Sequence, residues 1–300
     1  LKNEGLLSDL EISCAKELLI ADAFTIECDS GGHTDHRPSF PGFSSLKSVI
    51  LNATKHPNQQ IFIGIAGGIG TPEAISAAFS LGADYVLLGS VHQSCVEAGI
   101  SSFAKKMLET ASINDFASTI SADMFEIGAK VQVLKKGTLF PMHASFLHKI
   151  YHDFDSIESI PPVEKEKLET QIFRQKIEEI WDKTKEFFRS VNPEILVGIE
   201  SNTKLKMALI FKWYLGKSSQ WPIEGNFERQ SDFQIWSGPA LGAFNDWVAG
   251  SYLEKVENRT VRQVMLNLME GAAYAQRQFQ LNLFADKNFR SELTPKYIDR

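Results

Sequence analysis

The 300-residue chain has little cysteine, no excess of basic charge and no long apolar run. Its three cysteines, Cys14, Cys28 and Cys95, are odd in number and unequally spaced. That excludes a disulfide framework and a structural zinc set, and it points to a reducing, cytoplasmic setting. Lys and Arg number 31 against 37 Asp and Glu, a formal net charge of −6. A general nucleic-acid surface, which needs a basic stripe, is therefore excluded, and small-molecule or carrier-borne substrates are favoured. No apolar stretch approaches the ~18 to 20 residues of a membrane helix, and no basic-then-apolar leader opens the chain, so neither a membrane span nor export is expected. There is no internal repeat and no low-complexity tract. What is present, 43% hydrophobic and 23% charged residues, is ordinary globular composition.

The first ninety residues have a regular rhythm. Leu6, Leu7, Leu10, Ile12, Ala15, Leu18 and Leu19 recur at helical steps, with Ser8 as an N-cap. A strand follows over Ala23–Cys28, then an irregular loop from Asp29 to Phe43, then a helix from Ser44 to about Lys55. Ile61–Ala66 is a continuous apolar run of the kind buried on both faces of a parallel sheet. Thr71-Pro72-Glu73 supplies an N-cap and an N1 proline for a helix that Gly82 ends, and Ala83–Leu88 is a further strand. Alternating helices and strands predict βα units and a parallel sheet.

Two of these strands run into glycine pairs, Gly31-Gly32 and Gly67-Gly68, and the third into Gly89-Ser90. Glycine there serves either a tight turn with no ligand or a close backbone approach to an anion. A dinucleotide domain would need G-x-G-x-x-G after a strand and an acid ending the next one. Gly64-x-x-Gly67-Gly68-x-Gly70 has the wrong spacing, and the next strand ends without an acid. A (β/α)8 barrel, which commonly holds a phosphate at the ends of its last strands, fits better.

The residues then carry a resemblance. Glu27-x-x-Ser30-Gly31-Gly32-His33, Ala66-Gly67-Gly68-Ile69, Leu81-Gly82-Ala83-Asp84 and Gly89-Ser90 resemble the superfamily of nitronate monooxygenases and FabK-type enoyl reductases, FMN-dependent barrels. Three longer stretches narrow it: Asp29–Pro38, Ala122–Val131 and Trp236–Phe244 are similar to the PfaD family. These are trans-acting enoyl reductases of polyunsaturated fatty acid and polyketide synthases. The resemblance implies that residues 1–110 are the last three βα units of a flavin-binding TIM barrel, with the rest of the barrel upstream of Leu1 or on another chain, so that this chain alone should not be active. It implies FMN as cofactor, NADPH or NADH as reductant, and an acyl carrier protein or synthase bearing the enoyl thioester as partner; a homodimer is compatible with it. The predicted cofactor contacts are Ser30, Gly31, Gly32, Ala66, Gly67, Gly68, Gly89 and Ser90.

Beyond Ser90 the strand rhythm is expected to stop, leaving residues 111–300 as an all-helical substrate and carrier subdomain. Helices are predicted over Val91–Glu97, Ser102–Thr110, Asp123–Lys130, Phe140–Asp153, Val163–Val191, Asn202–Gly216, Pro239–Ser251 and Asn258–Asn282. Val131–Gly137 is a short extended segment and Ser218–Gly238 an ordered loop.

For chemistry, His33 is the candidate catalyst. Enoyl reduction requires hydride from reduced flavin N5 at the β-carbon, polarisation of the thioester oxygen and a proton at the α-carbon, and His33 takes one of the last two roles. The alternative is a histidine that anchors its own turn. Glu27 and Asp29, at a strand end, read either as a paired acid and base or, the favoured reading, as one residue that orients backbone or ribityl hydroxyls and one that is structural. Cys28 lacks a basic partner and is not read as a nucleophile. Asp35 marks the PfaD-like loop and separates it from nitronate oxidation. Lys130, Lys135 and Lys136 either meet a carrier or form a solvated turn, and His143, His148 and His152 lack a zinc pattern. Two other functions remain open: a nitronate monooxygenase-like oxidase, and a non-catalytic docking fragment of a synthase.

Overall fold

The computed structural model describes residues 2–17, 21–53 and 60–284. The helices are α1 (Asp9–Glu17), α2 (Ser39–Ala53), α3 (Pro72–Ser80), α4 (Ser102–Glu109), α5 (Phe140–Asp153), α6 (Pro162–Lys167), α7 (Ile177–Val191), α8 (Thr203–Glu224), α9 (Pro239–Val248) and α10 (Val261–Phe284). The strands are β1 (Ala23–Glu27), β2 (Gly32–His33), β3 (Phe62–Ala66), β4 (Tyr85–Leu87), β5 (Phe116–Ile120) and β6 (Lys130–Leu134).

The predicted order of helices and parallel strands is present, with shifted ends. Ser8 and Glu11 exchange the two bonds of a capping box ahead of α1: Ser8 N–H donates to Glu11 Oε2 at 2.7 Å and Glu11 N–H to Ser8 Oγ at 3.3 Å. Leu18, Leu19 and the predicted helix end near Lys55 lie outside the described residues. β1, β3 and β4 make one parallel sheet in that order, with Ile26 beside Ile65 and Ala66 beside Leu87. Central β3 buries Ile63, Ile65 and Ala66 almost completely, as a strand covered on both faces must. Thr71 caps α3 through the Ala74 N–H, and Gly82, at φ 85°, turns the chain toward β4. α10 returns along α3, so the C-terminal helix covers the parallel sheet's outer layer.

Several expectations change. The helix predicted from Ser44 begins at Ser39, because Pro41 falls within its first turn, where a missing N–H costs nothing. Val91–Glu97 yields only a single turn at His92–Ser94, and Asp123–Lys130 is a run of turns ending at left-handed Gly128.

The strand rhythm does not stop at Ser90. β5 and β6 pair antiparallel, and β6 also pairs with β2, giving a second sheet in the order β2-β6-β5. The appendage is therefore not all-helical. β6 is a buried central strand, with Val131, Val133 and Leu134 fully enclosed. The Ala117-Ser118-Thr119 middle of β5 is too small and polar to advertise a strand.

The helix expected over Val163–Val191 breaks in two. A π-helical turn at Leu168–Phe173 is followed by Arg174 in the left-handed region at φ 55° before α7 starts. Tertiary bonds hold that break: Arg174 donates to the Glu228 carbonyl and to Ser231 Oγ, both at 2.8 Å. α8 runs on to Glu224 through Trp221-Pro222, taking over the start of the predicted loop, and ends at left-handed Gly225.

Candidate active site

His33 lies on the second sheet, a few residues past the end of β1. Register sets this up: β2 places His33 opposite Val131, Thr34 N–H donates to the Lys130 carbonyl, and the end of β5 brings Ser121 and Asp123 alongside. On the other flank Trp236 bridges to Val133, and Leu134 N–H donates to the Ile235 carbonyl at 2.9 Å. Three stretches more than eighty residues apart in the chain thus converge on one histidine.

His33 Nε2 lies 2.8 Å from Asp123 Oδ1 and 3.0 Å from Ser121 Oγ, while its ring meets Trp236 edge-on at a centroid distance of 5.3 Å. The Ser121 hydroxyl also donates to Asp123. That bond first, and the His33 imidazole behind it, hold the Asp123 carboxyl at about 2 against the opposing effect of partial burial. Asp123 is ionised at neutral pH and accepts a hydrogen bond from His33 Nε2–H. Nδ1 has no hydrogen-bond partner among the described residues.

His33 does not anchor its own turn. His36 does, at φ 58°, with Nδ1 3.2 Å from Asp29 Oδ1 and Nε2 3.0 Å from Ser118 Oγ. Asp29 also accepts from Thr34 Oγ at 3.1 Å, and its N–H donates to the Arg37 carbonyl, closing the loop. Asp29 is thus structural. Glu27 accepts from Ser30 Oγ at 3.0 Å beside the strand ends. Asp35 pairs with Arg37 at 3.1 Å on the surface. Burial above all pushes the Cys28 thiol up. Lys136 is taken up by Asp115 at 3.6 Å, and His143 by Tyr214 and Asp232.

The C-terminal ends of β1, β3 and β4 enclose a notch of about 60 Å³. Seven of the eight predicted cofactor residues line it: Ser30, Gly31, Ala66, Gly67, Gly68, Gly89 and Ser90. Gly32 stands outside, at φ 86°, 3.5 Å from the Trp236 ring when a Cβ is added. The space is that of about four water molecules, the scale of a phosphate group.

The glycines are of two kinds. A Cβ on Gly31 would lie 2.5 Å from Ser90 Oγ and 2.7 Å from the Ser237 backbone, and one on Gly67 would lie 2.7 Å from the Asp29 carbonyl oxygen. These two are glycine because protein packs against them. Gly68, with Ser39 Oγ at 3.2 Å, and Gly89, with nothing within 4 Å, face open space at the mouth. An approaching phosphate would meet those two first, and their missing side chains leave room for such a group. Gly67 and Gly68 also border an apolar cavity of about 290 Å³ lined by Pro38, Phe40 and Ile69.

Comparison with known proteins places this geometry. The enoyl reductase domain of MlnA, from the macrolactin biosynthesis cluster of Bacillus amyloliquefaciens, superposes with a TM-score of 0.84 at 38% identity, over 94% of this chain and 63% of that one. This similarity is consistent with the resemblance to the PfaD-type enoyl reductases. A polyunsaturated fatty acid synthase subunit of Thraustochytrium sp. is 40% identical over 91% of the chain and 19% of that protein. Polyketide biosynthesis protein PksE of Bacillus subtilis is 42% identical over 85% of the chain and 33% of that protein. The chain thus spans a third or less of these curated relatives. FabK from Thermotoga maritima, at 19% identity and a TM-score of 0.50, shares the fold. Residues 154–233 match the family described as acyl-carrier-protein S-malonyltransferase, inserted helical domain. Among the described residues no helix is long and apolar enough to cross a membrane.

Asp123, Ser121 and Trp236 escaped the reading of single residues. The signal was available: Ala122–Val131 and Trp236–Phe244 carried the resemblance, and each delivers one of His33's neighbours.

Proposed function

We propose that the chain is part of an FMN-dependent enoyl reductase acting in trans on enoyl thioesters held by an acyl carrier protein, in polyunsaturated fatty acid or polyketide synthesis, with NADPH or NADH as reductant. The observation that carries the proposal is the convergence on His33 beside the strand-end notch. Gly68, Gly89 and Ser90 would hold the phosphate, with Gly31 and Gly67 fixing the turns behind them. A bound flavin would supply hydride for the β-carbon of the substrate. Asp123 fixes the His33 ring by accepting from Nε2–H, which leaves Nδ1 as the nitrogen that would serve the α-carbon or the thioester oxygen, as a proton donor when the ring is protonated. Trp236 packs against the ring and shields it from water on that side.

The division into a flavin-binding part, residues 1–110, and a substrate and carrier side, residues 111–300, belongs to the same proposal, with the β5–β6 pair added to the second part. Among the described residues the parallel sheet has two free edges, β1 and β4, which is what three strands of a larger barrel would present. Leu87 on the β4 edge is 51% exposed, which supports that reading.

The test is anaerobic mixing of the intact, FMN-loaded protein with NADPH, then with a short enoyl thioester. Bleaching near 450 nm followed by reoxidation on the thioester is expected. Reoxidation by oxygen or a nitroalkane but not by the thioester would refute the reductase reading.

A further inference from the structure

A cavity of about 660 Å³ lies away from His33, in the helical segment. Four cations line it, Arg174, Lys183, Lys217 and Arg229, together with the indoles of Trp213 and Trp221. That volume falls in the range of small-molecule sites, and four cations in one cavity stand out in a chain of net charge −6. Glu228 is the one carboxylate on its wall, and Asp232 lies fully buried beneath.

The chain departs from regular structure at the cavity's wall. The π-helical turn at Leu168–Phe173 and left-handed Arg174 separate α6 from α7, and Arg174 lines the cavity. Residues held in such conformations cost of order 1 to 3 kcal/mol and cluster at functional positions. Arg174 and Arg229 are pre-positioned. Both guanidinium groups sit 3.4 Å from Asp232, and Arg229 stacks on Trp221 with 4.1 Å from its guanidinium carbon to the ring centroid. Arg229 is 9% exposed, and its Nε lacks an acceptor in hydrogen-bond geometry. Lys183 and Lys217 donate to neutral amides, those of Gln175 and Gln220, and among the described residues neither forms an ion pair.

We infer that this cavity is a second ligand site, for a phosphate ester joined to an organic group that packs on indole. The two arginines and two lysines would take the phosphate and the indole surfaces the attached group. Two sources share that chemistry: a free adenine nucleotide, and the phosphopantetheine arm of a carrier. The inference does not rest on the reductase reading, since no residue of the His33 site or the glycine notch takes part.

Calorimetric titration of the intact protein with adenosine 3′,5′-bisphosphate and, separately, with 4′-phosphopantetheine tests it. Saturable binding of at least one is expected, weakened about tenfold (~1.4 kcal/mol) in Lys183→Gln/Lys217→Gln, and weaker again at raised salt. The ligand that binds more tightly names the source. These lysines lie on the surface, so the variant should fold, and an unchanged melting temperature checks that it does. No saturable binding of either ligand, or binding indifferent to the double substitution, would overturn the inference.

Discussion

Gly67→Ala and Gly89→Ala should separate the two kinds of strand-end glycine. At Gly67 the backbone stands at φ 89°, and a Cβ would sit 2.7 Å from the Asp29 oxygen and 2.8 Å from the Cys28 carbonyl carbon. Left-handed alanine costs about 1 to 2 kcal/mol. Forcing apart backbone that cannot swing away adds about 1 to 3 kcal/mol, as overpacking does elsewhere. Gly67→Ala should therefore lose about 2 to 5 kcal/mol of stability. Gly68→Ala, at φ 72° with only Ser39 Oγ nearby at 3.2 Å, should lose the conformational part alone, about 1 to 2 kcal/mol. Gly89 has no positive φ and open space where a Cβ would go, so Gly89→Ala should leave stability within about 0.5 kcal/mol, or raise it slightly. Urea denaturation measures all three, and flavin content at 450 nm the consequence for the notch. Equal destabilisation by Gly67→Ala and Gly89→Ala would refute the assignment of one to packing and the other to the ligand.

Three further outcomes follow from the same contacts. Asp232→Ala removes the buried carboxylate shared by Arg174, Arg229, Tyr214 and His143, and should cost about 3 to 5 kcal/mol in the same denaturation assay. The Asp123 carboxyl, at about 2 against an ordinary 3.8, has a depressed folded value, so its pairing is fully present above pH ~4 and is lost as pH falls through about 2. Its side chain is 61% exposed, so solvent screens the effect on global stability; the readout is the carboxylate's own titration by NMR, and a midpoint near 4 would contradict the Ser121 and His33 contacts. Among the thiols, exposed Cys14 should react promptly with a maleimide, whereas buried Cys28, and Cys95, whose burial pushes it up to about 12, should react only on unfolding.

The parallel sheet was legible because each of its signals is local: apolar runs at Ile61–Ala66 and Ala83–Leu88, the Thr71-Pro72 start and the Gly82 stop. Of the second sheet only β6 was, as the extended segment over Val131–Gly137. β5 hides in small polar residues, β2 is two residues long, and the pairing of β6 with β2 and its bridge to Trp236 join stretches far apart in the chain. The break at Arg174 has no glycine or proline to announce it, because bonds from Glu228, Ser231 and Asp232 impose it. At the site the sequence pointed to His33 but not to its partners, since Ser121, Asp123 and Trp236 become neighbours only through the register of β2, β6 and Val133. The glycine pairs carried both readings at once, and the structure divides them: Gly31 and Gly67 are closed by protein, Gly68 and Gly89 open.

The central claim is that His33, fixed by Asp123, delivers the proton beside a flavin held at the strand ends. The most direct measurement is single-turnover reoxidation of the reduced, flavin-loaded intact protein by an enoyl thioester, wild type against His33→Ala. The account predicts equal flavin content and equal bleaching by NADPH, with reoxidation slowed about 10²- to 10⁴-fold. Reoxidation at the wild-type rate, with normal flavin content, would contradict it.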